Sequence, residues 1–217
     1  KRIYYQIMSL NILTLIILGV VGISFFAFKN REFQNKLLYI PYDCKHNGRY
    51  STMFTHIFIH ADTNHLLFNM FSMYFLGDVL LNYGLIRNYG VFAGQAHFLV
   101  LFMLGGLFAT LIPYIRNQDN PNYRSLGASG AVSAVIFAAI MWNPGMKLNI
   151  MFIPINIPAV VFGPLYLLYE FYAAKKGGTG IAHDAHIGGA VFGVIYVLII
   201  NFEKGADFFE AVLGIFN

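Results

Sequence analysis

The chain has 217 residues, of which 58% are hydrophobic and only 11% charged, a balance too apolar for a water-soluble domain of this length, so it is read as an integral membrane protein. Fourteen Lys and Arg against ten Asp and Glu give a charge of +4, spread along the loops without a basic block or aromatic repeat, which argues against a nucleic-acid partner. The single cysteine, Cys44, excludes an internal disulfide and a thiolate metal cage, and nothing in the composition calls for a metal or cofactor.

The first apolar run, about 10–28, is interrupted only by Asn11, Thr14 and Ser24 and is long enough to cross a bilayer. No small-residue cleavage site follows it, so a plain span is expected rather than a cleavable signal peptide. From residue 29 to 64 the sequence turns polar and aromatic, with Pro41, Asp43, Gly48 and Arg49. A loop this long is usually functional, and it is expected to pack on the membrane surface. The second span, about 65–83, carries His65, Asn69 and Ser72 at i, i+4 and i+7, one helical face that should meet protein rather than lipid. A turn with Gly84, Asn88 and Gly90 leads to a third span, about 92–114, and then to a loop holding Asp119, Asn120 and Pro121.

The fourth span, about 127–142, opens on Gly127-Ala128-Ser129-Gly130. At 1.5 Å per residue it reaches only about 24 Å into a hydrocarbon core of about 30 Å. Its first turn should therefore lie below the surface, in a cavity lined by protein and water. Asn143-Pro144-Gly145 stops it, and a run containing Pro154, Pro158 and Pro164 leads into a fifth span, about 157–174. After a glycine-rich loop the sixth span, about 186–201, is again short, and the tail 202–217 reads as an interfacial amphipathic helix. The expectation is a single all-α domain of six transmembrane helices with a long surface loop between the first and second.

Six spans impose a parity: the second, fourth and sixth enter from the same side. His65 and Asn69, Ser129, and His183 and His186 then converge at one depth, and polar groups inside a membrane mark a functional site by default. Gly127, Gly130 and Ala134 on the fourth span, facing Gly189 and Gly193 on the sixth, allow the backbones to approach closely enough for a Ser129 to His186 hydrogen bond. A hydroxyl beside an imidazole is a nucleophile with its base. Asp184 is spaced to point away from His186, so a dyad is expected without an acidic third member. The backbone N–H groups of Ala128 and Ser129, with the side chains of His65 and Asn69, are candidate donors to an oxyanion.

Blander readings exist for each feature. Small residues also let membrane helices pack with no chemistry attached. Polar groups on facing helices also line transporters and channels, but those string ionisable groups through the bilayer depth, whereas here they cluster at one level and no repeat is visible. His56 and His60 have the spacing of a zinc pair but lack the glutamate after the first histidine, so they are read as braces for the loop above the site. His183 is read as bonding loop backbone, and His97 with Gln95 as a structural polar pair.

The motifs His65-x-x-x-Asn69, Gly127-x-Ser129-Gly130 and Ala185-His186-x-x-Gly189-x-x-x-Gly193, in this order on alternate spans, resemble those of the rhomboid intramembrane serine proteases. The resemblance runs from the first span to the sixth. It implies a six-helix fold and cleavage of the transmembrane segments of other membrane proteins through an acyl-enzyme. It further implies Ser129 as nucleophile, His186 as general base, and an oxyanion site of His65, Asn69 and the Ser129 N–H. The partners would be transmembrane substrates and the lipid bilayer, and the location a bacterial inner membrane with the site opening to the extracytoplasmic side. Retention of all four polar residues argues against an inactive relative.

The sequence departs from the family pattern in three places. Arg49-Tyr50 stands where many members carry Trp-Arg, Leu81 where an acidic residue is frequent, and Ser133 where an aromatic residue often packs on the histidine. Charge disagrees with the implied orientation. Nine basic residues (Lys29, Arg31, Lys36, Lys45, Arg49, Arg116, Arg124, Lys175, Lys176) would lie outside, against Lys1, Arg2, Arg87, Lys147 and Lys204 inside. The resemblance is followed, because a folded first loop escapes that rule.

Overall fold

The computed structural model describes residues 11–149 and 156–215; Lys1, Arg2, Leu10, Pro154 and the last two residues of the tail lie outside the described residues. Helix α1, Ile12–Lys29, starts where the Asn11 side chain accepts the Thr14 N–H. The connection to the next long helix is itself folded, into α2 (Arg31–Leu37), α3 (Pro41–Asn47), α4 (Thr52–Thr55) and a 3₁₀ turn at His56–Phe58. Arg49 ties this region together, donating to the Asn35 and Lys36 carbonyls at the end of α2 and to Asp43 on α3 at 2.9 Å. Here the arginine of the altered pair fastens one short helix to another.

Asp62 caps α5, Thr63–Asp78, which continues through a π-helical stretch, Val79–Ile86, into α6, Arg87–Ala109. Gly90 breaks the run with φ 79°, a left-handed conformation that suits glycine. Beyond it the chain folds back so tightly that a Cβ on Gly94 would meet the Ile86 backbone at 2.7 Å. The two expected spans here are thus the arms of one helical hairpin. The short α7, Leu111–Asn117, follows, then the central α8, Ser129–Trp142. A two-stranded ribbon, β1 (Lys147–Asn149) paired antiparallel with β2 (Asn156–Pro158), leads to α9, Ala159–Lys176, and then come α10, His183–Ile200, and α11, Glu203–Leu213. Each long helix lies within a few residues of its expected position. Ile12–Lys29, Thr63–Asn117 and His183–Ile200 are long and apolar enough to cross a membrane, and Ser129–Trp142 is apolar but shorter.

Helix α8 is the axis of the molecule. Every residue from Gly130 to Trp142 except Ile136 is buried. At 14 residues it is about 21 Å long, so it is a core rather than a simple crossing. Leu15, Leu18 and Phe26 on α1, Phe68 and Phe71 on α5, and Leu165 and Leu168 on α9 are instead exposed, as a lipid-facing surface requires. In such a solvent, helices are held by close packing of small residues rather than by hydrophobic exclusion. That is what surrounds α8. A Cβ on Gly105 of α6 would lie 2.5 Å from Ala134, and one on Gly189 or Gly193 of α10 would overlap the carbonyls of Gly130 and Ala134 respectively.

His97 and Gln95 do not pair with each other as expected. His97 bonds the Tyr196 hydroxyl on α10 at 2.9 Å, and Gln95 accepts the Ile12 N–H of α1 at 2.8 Å. Each fastens α6 to a different neighbour.

Candidate active site

The segment before α8 is pinned from the amino-terminal side. Tyr39 and Ser125 exchange both backbone hydrogen bonds, at 3.1 and 2.9 Å, and the Gly127 N–H donates to the His56 carbonyl at 3.0 Å. His60 completes the clamp. Its Nε2 accepts the Ala128 N–H at 3.2 Å, which leaves Nδ1 to donate to Ser24 Oγ at 2.9 Å, and Ser24 in turn donates to the Phe58 carbonyl. Burial pushes the His60 imidazole down to about 3 and His56 to about 4, so both stay neutral and keep these roles. The two histidines brace the loop, as their missing glutamate suggested.

One sequence-derived donor is lost by the same geometry. The Ala128 N–H was a candidate for the oxyanion site, but it is already donated to His60. The available donors belong to the first turn of α8, which has no side-chain cap, beginning with the Ser129 N–H. Gly127 is required twice over. Its φ is 118°, and a Cβ would strike the His65 ring, 2.5 Å from Cε1 and 2.8 Å from Nε2. His65 therefore lies edge-on to the backbone two residues before Ser129. Asn69, one turn further along α5, is buried and gives one amide hydrogen to the His65 carbonyl at 2.8 Å, leaving the second free. Of the polar stripe, Asn69 is buried while His65 and Ser72 are half-buried.

From the other side comes α10. The Ala185 carbonyl lies 3.5 Å from the Cβ position of Gly130, and Gly189 is in backbone contact with the same residue. Ser129 and His186 each flank that contact by one residue, so the glycines bring their backbones together at the mouth of the bundle. The hydrogen bonds made around this point do not include one between the Ser129 and His186 side chains. Resting active sites commonly hold such pairs loosely until substrate arrives.

Sequence reasoning missed Glu170. It sits on α9, only 3% exposed, and its carboxylate is shared by two imidazoles: Oε2 is 2.6 Å from His183 Nδ1 and Oε1 is 3.1 Å from His186 Nδ1. The first is a short, buried hydrogen bond. The second is close but bent, leaving His186 Nδ1 without a well-formed partner. His183 thus bonds Glu170 and, through Nε2, the Thr179 hydroxyl at 2.9 Å, rather than loop backbone. The signal was present, since Glu170 is the one acidic residue within the expected fifth span. Asp184 behaves as expected, turning from His186 to accept its neighbour's N–H at 3.1 Å.

Glu170, His183 and His186 bring three metal-type ligand atoms within 4.8 Å of one another. Around a tetrahedral zinc, however, ligand atoms at about 2.0–2.1 Å from the metal stand about 3.3 Å apart. The 2.6 Å separation of His183 from Glu170 is a hydrogen bond between partners, not the spacing of co-ligands. A cavity of about 1880 Å³ is elsewhere. It is lined by Phe71 and Phe75 of α5, Trp142 of α8 and Phe162 of α9, at the end of α8 away from Ser129.

The rhomboid-domain family model matches residues 47–201 of the chain. Among curated proteins, the chain is similar to RHOMBOID-like protein 12, mitochondrial, of Arabidopsis thaliana, with 28% identity over 76% of this chain and 51% of that protein. It is similar also to presenilin-associated rhomboid-like protein, mitochondrial, of Homo sapiens, with 28% identity over 68% of this chain and 37% of that one. The zebrafish (Danio rerio) presenilin-associated rhomboid-like protein A, mitochondrial, is 27% identical over 64% of this chain and 35% of its own. The chain spans about half the length, or less, of these relatives. All three are mitochondrial by name, which overturns the expectation of a bacterial inner membrane with an extracytoplasmic opening.

Proposed function

The chain belongs to the rhomboid family, and from that premise we propose that it is an intramembrane serine endopeptidase, working in a mitochondrial membrane on transmembrane segments of other proteins. The helices at the six expected positions are the spans in this reading. The observation that supports it is the backbone contact of Gly130 with Gly189, between the residue after Ser129 at the uncapped start of one apolar helix and the first turns of the helix that carries His186.

The chemistry follows from what each atom is free to do. Glu170 occupies the Nδ1 side of His186, so Nε2 is the nitrogen left to take the Ser129 proton as Oγ attacks the scissile carbonyl. The new C–O bond places charge on the carbonyl oxygen. The Ser129 N–H, the second amide hydrogen of Asn69 and the His65 ring are the donors that meet it. Collapse breaks the C–N bond and the proton passes from His186 to the leaving amine. Water, deprotonated by the same imidazole, then releases the acyl group from Ser129. Because these groups sit below the membrane surface, the substrate must bring extended, unpaired backbone to them, so helices that unwind easily are favoured.

The test is labelling of the purified protein by a serine-reactive fluorophosphonate alongside cleavage of a reporter membrane helix. Wild type should be labelled and active, and Ser129→Ala should be neither. Turnover surviving in Ser129→Ala would end the reading.

A further inference from the structure

We propose that Glu170 is the positioning residue of the active site, so that the working unit is a carboxylate, an imidazole and a hydroxyl rather than an unsupported pair. The proposal rests on the reading of His186 as the base. A neutral imidazole can carry its proton on either nitrogen, and only one tautomer accepts from serine. With the proton on Nε2 the base is blocked. An ionised carboxylate accepts and cannot donate, so Glu170, 3.1 Å from His186 Nδ1, selects the Nδ1–H form and leaves the Nε2 lone pair open. When His186 takes the serine proton on Nε2, the positive ring faces a negative partner across a short, buried gap. Glu170 gains no proton in the cycle.

The surroundings hold the carboxylate in place. His183 donates to Oε2 at 2.6 Å and is itself oriented by the Thr179 hydroxyl on its other nitrogen. Tyr166 lies one turn before Glu170 on the same face of α9. Two helices therefore meet at one acid: α9 supplies it and α10 supplies both imidazoles. The bent approach to His186 leaves room for the ring to swing onto line when substrate fills the site.

The decisive comparison is Glu170→Gln with Ser129→Ala on the same reporter helix. A glutamine keeps the shape but can present an N–H to Nδ1, favouring the blocked tautomer. We expect kcat to fall by about a hundredfold to ten-thousandfold, with KM within about threefold and the thermal midpoint little changed. His183→Asn, which keeps a donor, should retain more activity than His183→Phe, a ranking that packing alone would not produce. A tautomer readout needs no change at Glu170. In ¹⁵N-histidine-labelled Ser129→Ala protein, neutral His186 should show a protonated Nδ1 and a bare Nε2. The opposite tautomer overturns the proposal, even where the glutamine variant fails to fold. Should Glu170→Gln keep kcat within about threefold of wild type while Ser129→Ala is inactive, the role of Glu170 falls and the peptidase reading stands. If Ser129→Ala itself turns over, both fall.

Discussion

Two pairs of histidines flank the start of α8, and they are put to opposite uses. His56 and His60 face it from the loop side, fully enclosed. Each ring nitrogen of His60 is engaged, one accepting a backbone N–H and the other donating to Ser24. His183 and His186 face it from α10, with the buried carboxylate of Glu170 between them. The same side chain is a fixed strut where burial stands alone, because the charged form is then penalised. In the second pair only His186 is a candidate proton carrier, with an anion beside one nitrogen and the other open, whereas His183 is engaged at both by Glu170 and Thr179. Identity and spacing do not separate the two cases; the neighbours do.

The sharpest way to break that contrast is to exchange the losses. His186→Ala should reduce turnover by about four orders of magnitude or more while the purified protein keeps its thermal midpoint within a few degrees. His60→Ala should do the reverse. It strands the Ala128 N–H and removes the donor to Ser24 Oγ, destabilising the fold by about 1–3 kcal/mol, with the surviving folded fraction still labelled at Ser129. Midpoints and active-site labelling measured together on the two variants decide it. A His60 variant that is fully stable yet inactive would erase the distinction.

A smaller effect is expected on the third wall, from α5. Asn69→Ala removes one donor and leaves the proton path intact, so kcat should drop by about ten- to a thousandfold with little change in KM or in fluorophosphonate binding. Unchanged kcat would confine Asn69 to its bond with the His65 carbonyl and make it a helix strut.

These contrasts also explain what the sequence could and could not reveal. Helix positions were legible because apolar runs and glycine punctuation act locally: the runs became α1, α5 and α8, and Gly90 reverses the chain. The approach of α8 and α10 was legible too, because Gly189 and Gly193 lie one turn apart on a single face and leave no side chain in the way. The competition for the Ala128 N–H was not, since its acceptor comes from a loop 68 residues away whose path no periodicity dictates. Glu170 was half legible. An acid in a span is conspicuous, but its partners depend on the rotation of α9, which the apolar residues around it do not dictate.

The least drastic test uses pH, outside the spans. Both loop histidines have folded-state values below the ordinary 6.5, about 4 for His56 and about 3 for His60, owing first to burial. The unfolded chain therefore binds protons that the folded one refuses. The stabilisation is fully present above pH 6.5 and is lost as pH falls toward 4. At pH 5 each histidine should have cost the fold about 2 kcal/mol relative to pH 7. His60→Gln keeps an acceptor for the Ala128 N–H but cannot titrate, so its midpoint should start somewhat lower at pH 7 and fall less by pH 5. If the variant and wild type lose stability in parallel across that interval, His60 is not held neutral by its enclosure. The strut would then be no more than another imidazole able to take up a proton.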